Sequence, residues 1–144
     1  MLDLWLAVAH HVLVFGLAIM LAMELACLRS PAPPISRLAR LDAGYGVTSI
    51  LILVVGACRV VWGVKGWEAY QANPFFWAKI ATFGLIGLIS ILPTIAFIKW
   101  ARARRSDPGF APPPAAVARI AGFVRTELLL LFPLVGIAAA MARY

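Results

Sequence analysis

Charge is what this chain has least of. Asp, Glu, Lys and Arg make up only 13% of its 144 residues, about half the share of an ordinary soluble domain. With 63% of residues apolar and a mean hydropathy of +0.93, too few polar side chains remain to cover a water-soluble globule. Acids are scarcer than bases, six against thirteen, which gives a net charge of +7. There are two cysteines and two histidines. Cys27 and Cys58 fall at depths about 20 Å apart on successive apolar segments, too far for a disulfide or a two-cysteine metal site. No serine or cysteine has a histidine at a spacing and depth suited to nucleophilic catalysis. No internal repeat supports an inverted-repeat transporter.

Long apolar runs, by contrast, are plentiful. Four of them occupy residues 4–28, 43–63, 76–100 and 117–142, and each reaches the roughly 20 residues that cross a hydrocarbon core about 30 Å thick. The expectation is an all-α, polytopic membrane protein: one domain over residues 1–144, with four helices in an up-down bundle. The first run is expected to be a retained helix, not a cleaved signal. Asp3 precedes it where a secretory signal would carry a basic n-region, and Glu24 interrupts the lipoprotein-like Met23-Glu24-Leu25-Ala26-Cys27.

The basic residues set the orientation. Arg29, Arg37 and Arg40 lie on the first connection; Lys99, Arg102, Arg104, Arg105 and Arg119 flank the third. Only Lys65 and Arg143 lie outside the spans on the other side. The positive-inside rule then places both loops in the cytoplasm and both termini outside, as expected for a bacterial inner membrane. This topology accounts for the net charge without nucleic acid, for which there is no recognition module. The cytoplasmic connections, residues 30–34 and 108–114, are stiff and proline-rich. The outer loop, residues 64–75, leads with Trp67, Tyr70 and Phe75 into Phe76 and Trp77. An interfacial aromatic belt accounts for these; a lid over an outward-facing pocket is the alternative.

Ionisable groups inside a bilayer are costly and mark functional candidates. Sorted by depth, they form two layers. The outer one holds His10, His11, Arg59 and Lys79 and no acid. The inner one holds Glu24, Asp42, Tyr45, Arg125 and Glu127, balanced in sign, with a buried arginine–carboxylate pair expected to tie the first and last helices together; Glu127, two residues from Arg125, cannot face the same way. Glu24 or Glu127 on a proton path is the alternative use. Helical phase puts Tyr45, Ser49, Ile52, Gly56 and Arg59 on one face of the second helix. It puts Lys79, Phe83, Gly87, Ser90 and Thr94 on one face of the third. Pro93 and Pro133 are expected to bend their helices. Adjacent histidines point about 100° apart, so only one can face a given centre. His10 shares its face with Leu17 and Glu24 and is the favoured ligand, with His11 as a packing or hydrogen-bonding partner.

An outer layer of cations with imidazole suits an anion. Haem b meets the description, with imidazole for iron and cations for propionates. A quinone or an anionic lipid headgroup also does, and copper less so for want of further ligands. Headgroup snorkelling of Arg59 and Lys79 is the plain alternative.

The pair His10-His11, the segment Gly56-Ala57-Cys58-Arg59, the run Asn73-Pro74-Phe75-Phe76-Trp77-Ala78-Lys79, Ser90 with Pro93, and the ending Ala140-Met141-Ala142-Arg143 resemble an uncharacterised family. Its members are small bacterial four-helix membrane proteins catalogued under a domain of unknown function, and the resemblance implies the architecture without an activity. A remoter likeness is to the membrane haem-binding family that oxidises protoporphyrinogen, which has a histidine in its first helix and an aromatic-then-lysine entry to a later one. That likeness implies His10 or His11 as haem ligand and Lys79 as an essential basic residue. The chain departs from it in having no histidine in another helix, so Met20 or a second subunit would supply any sixth ligand. Three function classes follow: a haem-containing redox protein, a binder or transporter of an anionic lipid-like or quinone ligand, and an accessory subunit of a homo-oligomer or larger membrane complex.

Overall fold

The computed structural model describes residues 1–144 and is entirely helical. In chain order the helices are α1 (Leu2–Leu28), α2 (Ile35–Trp62), α3 (Gly66–Ala72), α4 (Pro74–Ser106) and α5 (Pro114–Arg143). All but α3 are long and apolar enough to cross a membrane. The packing is that of a protein whose solvent is lipid. Only 24 of 144 residues are buried, while Phe15, Ile19, Leu88, Phe132 and many other large apolar side chains face outward. In water such a surface would drive aggregation; in hydrocarbon it costs nothing.

The helices extend beyond the apolar runs. α2 begins at Ile35, taking in Arg37 and Arg40, and α4 continues to Ser106 through Arg102, Arg104 and Arg105. Hydropathy marks what lies in hydrocarbon, whereas intrahelical hydrogen bonding continues into the headgroup zone, where arginines keep their charge in water. The proline-rich segments end the helices sharply, since proline cannot supply the next backbone donor. α3 replaces the expected loop; its entry turns on Gly66, whose φ of +72° favours glycine. α4 and α5 continue as helix through Pro93 and Pro133.

Around the bundle, α1 packs on α2 and α5, and α4 packs on α2 and α5, with no close backbone approach across either diagonal. The buried residues of α5 are Ile120, Val124, Glu127, Leu131 and Leu134, alternately four and three apart. On α1, Leu17, Leu21, Glu24 and Leu28 repeat the pattern. On α2, Ile35, Leu38, Asp42, Tyr45 and Ile52 fit it too. A repeat near 3.5 residues is the seam of left-handed helix packing. α4 presents Ile86, Pro93, Phe97 and Trp100. Of the face expected there, Lys79, Phe83, Ser90 and Thr94 turn towards the bundle, whereas Gly87 is exposed and a Cβ on it would meet nothing within 4 Å.

Both termini lie at the end of the bundle that carries α3. There Asp3 sits beside Gly63, the C-cap of α2, and the rings of Phe75 and Tyr144 meet at 5.9 Å. Tyr70 and Phe76 are buried, whereas Trp67 and Trp77 are half exposed, with edge-on contacts among Trp67, Phe76 and Trp77. The Trp77 indole donates to the Gln71 carbonyl at 3.1 Å.

Candidate functional site

In the half of the bundle near the termini, the two histidines go separate ways. His10 turns onto α2: a Cβ on Gly56 would lie 3.6 Å from its ring Cε1. That is ordinary contact distance for a methyl, whereas a side chain longer than alanine at position 56 would push the ring away. Arg59, one turn further along α2, and Lys79 of α4 are the charged groups facing that ring, together with His11. His10 Nδ1 and Arg59 Nε are both buried without a hydrogen-bond partner. His11 lies on the exposed side of α1, where its Nδ1 donates to the Ala7 carbonyl at 2.6 Å. The rings stand 6.3 Å apart and nearly perpendicular, as the helical step between neighbours requires.

Met20 is not available to this layer. Its Sδ lies 3.1 Å from where a Cβ on Gly44 would be, about 15 Å along α1 from His10. Met20 is thus out of reach as a second ligand to a metal held by His10. Two acids lie at this end: Glu68, exposed on α3, and Asp3, which the sequence shows only as a residue ahead of the apolar run. Folding carries Asp3 to the C-terminal end of α2.

The layer nearer the proline-rich connections is built differently from expectation. Glu24 and Glu127 are each 1% exposed, and Asp42 and Tyr45 are also buried. Glu24 faces Asp42 and Glu127, and Tyr45 faces Glu127, Glu24 and the Ser90 hydroxyl. Thr94 Oγ1 donates to Asp42 Oδ1 at 2.9 Å. Arg125, however, is exposed on α5, and both Glu127 oxygens and Glu24 Oε1 have no hydrogen-bond partner. The expected pairing of Arg125 with a carboxylate across the bundle, Glu24, is thus not formed. Two residues along a helix turn a side chain through about 200°, so burying Glu127 sends Arg125 outward. The result is three carboxyls from three helices with no cation among them.

Apolar side chains separate the two layers. Leu17 and Leu21 of α1, Ile52 of α2, Ile86 of α4, and Leu131 and Leu134 of α5 are all buried between them. The regular spacing produces this arrangement: His10, Leu17 and Glu24 recur at seven residues on α1, as do Tyr45, Ile52 and Arg59 on α2. Cys27 and Cys58 are free, on opposite sides of this plug.

Asn73 has a structural role that its place in the Asn-Pro-Phe-Phe-Trp run does not announce. Buried, it caps α4 by accepting from the Phe75 N–H at 3.0 Å, and its amide donates to the Met141 carbonyl at 3.2 Å. An Asn-Pro step before a helix is a sequence signal for the cap. Nothing local signals the second bond. Beside it, Lys65, Ala69, Tyr70, Met141 and Tyr144 line a cleft of about 430 Å³ with Asn73.

No curated protein and no solved structure matches the chain. A family model described as "Predicted membrane protein (DUF2214)" matches residues 2–144, nearly the whole chain and all four membrane-crossing helices. The protein therefore belongs to this family of predicted membrane proteins, of the four-helix kind that its apolar segments specify.

Proposed function

We propose that the protein sits in a bacterial inner membrane with both termini on the non-cytoplasmic side, and that it holds an anion-bearing cofactor against His10, Arg59 and Lys79. The arginine-rich connections at the far end of the bundle support the orientation. One observation carries the binding reading. An imidazole from α1 and cations from α2 and α4 converge with no facing carboxylate, and the buried His10 Nδ1 and Arg59 Nε lack partners. Groups so placed gain most from a negatively charged ligand.

Haem b is the cofactor that uses the whole set, and it would supply one-electron chemistry when bound. The chain's own residues would bind and orient it: His10 towards iron, Arg59 and Lys79 towards carboxylates. A quinone or anionic lipid is the second reading, favoured because Arg59 and Lys79 are only partly buried and so remain reachable from the bilayer.

A visible spectrum of the detergent-purified protein tests the proposal. The expected result is a Soret band that His10→Ala abolishes and His11→Ala retains. Loss in His11→Ala alone would move the ligand to the lipid-facing side of α1, where the Ala7 bond already fixes that ring's tautomer. No band, with a co-purifying quinone or anionic lipid, would favour the second reading. Neither, with a partner protein that stays bound, would instead make the chain an accessory subunit.

A further inference from the structure

The cleft between α3 and the last turn of α5 has no use in the reading above. Its volume of about 430 Å³ falls within the range of small-molecule sites, about 300–1,000 Å³. Helix length sets its depth. α4 has 33 residues and α5 has 30, so they run to about 50 and 45 Å against a hydrocarbon core about 30 Å thick. Their ends therefore stand in the headgroup zone. Asn73 caps the start of α4, Met141 lies in the last turn of α5, and Lys65 immediately precedes α3, so the cleft opens among lipid headgroups. Trp67 and Trp77, half exposed at the same end, are side chains that prefer that boundary.

The lining selects for one kind of group. Lys65 is its only charged residue, and neither Glu68 nor Asp3 lines it. Lysine can only donate. Asn73, 5% exposed, has its oxygen taken by the Phe75 N–H and one amide hydrogen taken by the Met141 carbonyl. What it has left to offer is its second N–H. The phenols of Tyr70 and Tyr144 donate as well as accept. Ala69, the Met141 side chain and the Tyr70 ring, packed on Phe76 at 5.5 Å, make the apolar wall. An ammonium and a free N–H with no carboxylate among them suit an acceptor-rich anion. An apolar wall at headgroup depth suits an anion that carries a hydrocarbon tail. Free phosphate would leave that wall and most of the volume unused.

We propose that the cleft seats the phosphate-bearing headgroup of an anionic phospholipid, with Lys65 against the phosphate and the Asn73 amide donating to it. The site is distinct from the His10 layer. Lys79 lies about 9 Å further down α4 than Asn73, and none of His10, Arg59 and Lys79 lines the cleft.

Native mass spectrometry of the detergent-purified protein, with phosphatidylglycerol or phosphatidylcholine added, tests this. The expected result is one phosphatidylglycerol held per chain under activation that strips phosphatidylcholine. Lys65→Gln should weaken that retention about fivefold, the share of one lysine facing an anionic lipid, and Lys65→Arg should preserve it. Lys65 is exposed, so both variants should fold. At the arginine-rich end, Arg102→Gln and Arg105→Gln should leave the first lipid in place. Equal retention of the two lipids overturns the proposal. So does a phosphatidylglycerol that Lys65→Gln leaves bound. Release by Arg105→Gln instead would move it to the other end of the bundle, and release by Arg59→Gln would move it to the His10 layer. Sodium phosphate that displaces the lipid, where sodium chloride of equal ionic strength does not, overturns the proposal in favour of free phosphate. The visible spectrum that tests haem is a separate readout, so either reading can fail alone.

Discussion

Replacing Asn73 tests the most exact tertiary contact at the end of the bundle that carries the termini. Its side chain serves two helix ends at once. It accepts from the Phe75 N–H at the start of α4 and donates to the Met141 carbonyl in the last turn of α5, two groups that regular helix geometry leaves without partners. Losing a helix cap costs about 1 kcal/mol. Losing the interhelical bond adds about 0.6–1.5 kcal/mol, the lower figure being usual inside membranes. Asn73→Ala should therefore destabilise by about 1.5–2.5 kcal/mol. Asn73→Ser separates the terms, because serine caps as well as asparagine but is too short to reach Met141. It should cost only the second part, about 0.6–1.5 kcal/mol. Reversible unfolding in mixed micelles of rising sodium dodecyl sulfate content, followed by helical circular dichroism, provides the measurement. If alanine and serine both stay within about 0.5 kcal/mol of the parent, no such clasp exists. If they fall equally far, the cap contributes nothing.

Two further outcomes check the interior. Gly56→Ala places a methyl at ordinary contact distance from His10 and should be tolerated, with a gain of up to about 1 kcal/mol from helix propensity. Gly56→Leu should displace the ring and change any ligand spectrum; an unchanged spectrum would show that His10 is not the contact. Arg125→Leu should alter stability by less than about 1 kcal/mol, because the exposed guanidinium holds no buried partner. A loss of about 3–5 kcal/mol, as expected on breaking a buried ion pair, would restore the pairing that the fold does not make.

Much of this architecture could be read directly from the chain. Four runs of some 20 apolar residues leave a bilayer as the only suitable solvent. Phase alone, fourteen residues and so nearly four turns, set His10 and Glu24 on one face of α1. The two-layer distribution of polar groups also follows from depth along alternating helices. Gly87, expected on the inward face of the third span, and Arg125, expected in a pair with a carboxylate, both turn outward in the fold, and for the same reason. Lipid outside the bundle is as apolar as the leucines within, so a membrane helix shows little amphipathic contrast to say which stripe turns inward. On α4 and α5 that choice fell to ridge-and-seam packing among neighbours.

The sequence by itself thus determined the solvent, the number of crossings and the depth of every ionisable group, because each depends only on local composition and a fixed rise per residue. Tertiary structure decided which of those groups meet. It turned His10 onto Gly56 and left His11 to the lipid. It clasped α4 to α5 through Asn73, and it gathered Glu24, Asp42 and Glu127 behind a plug of leucine and isoleucine while turning Arg125 away. Those outcomes depend on the rotation of each helix about its own axis, and in a uniformly apolar solvent only contact with the other helices fixes that rotation.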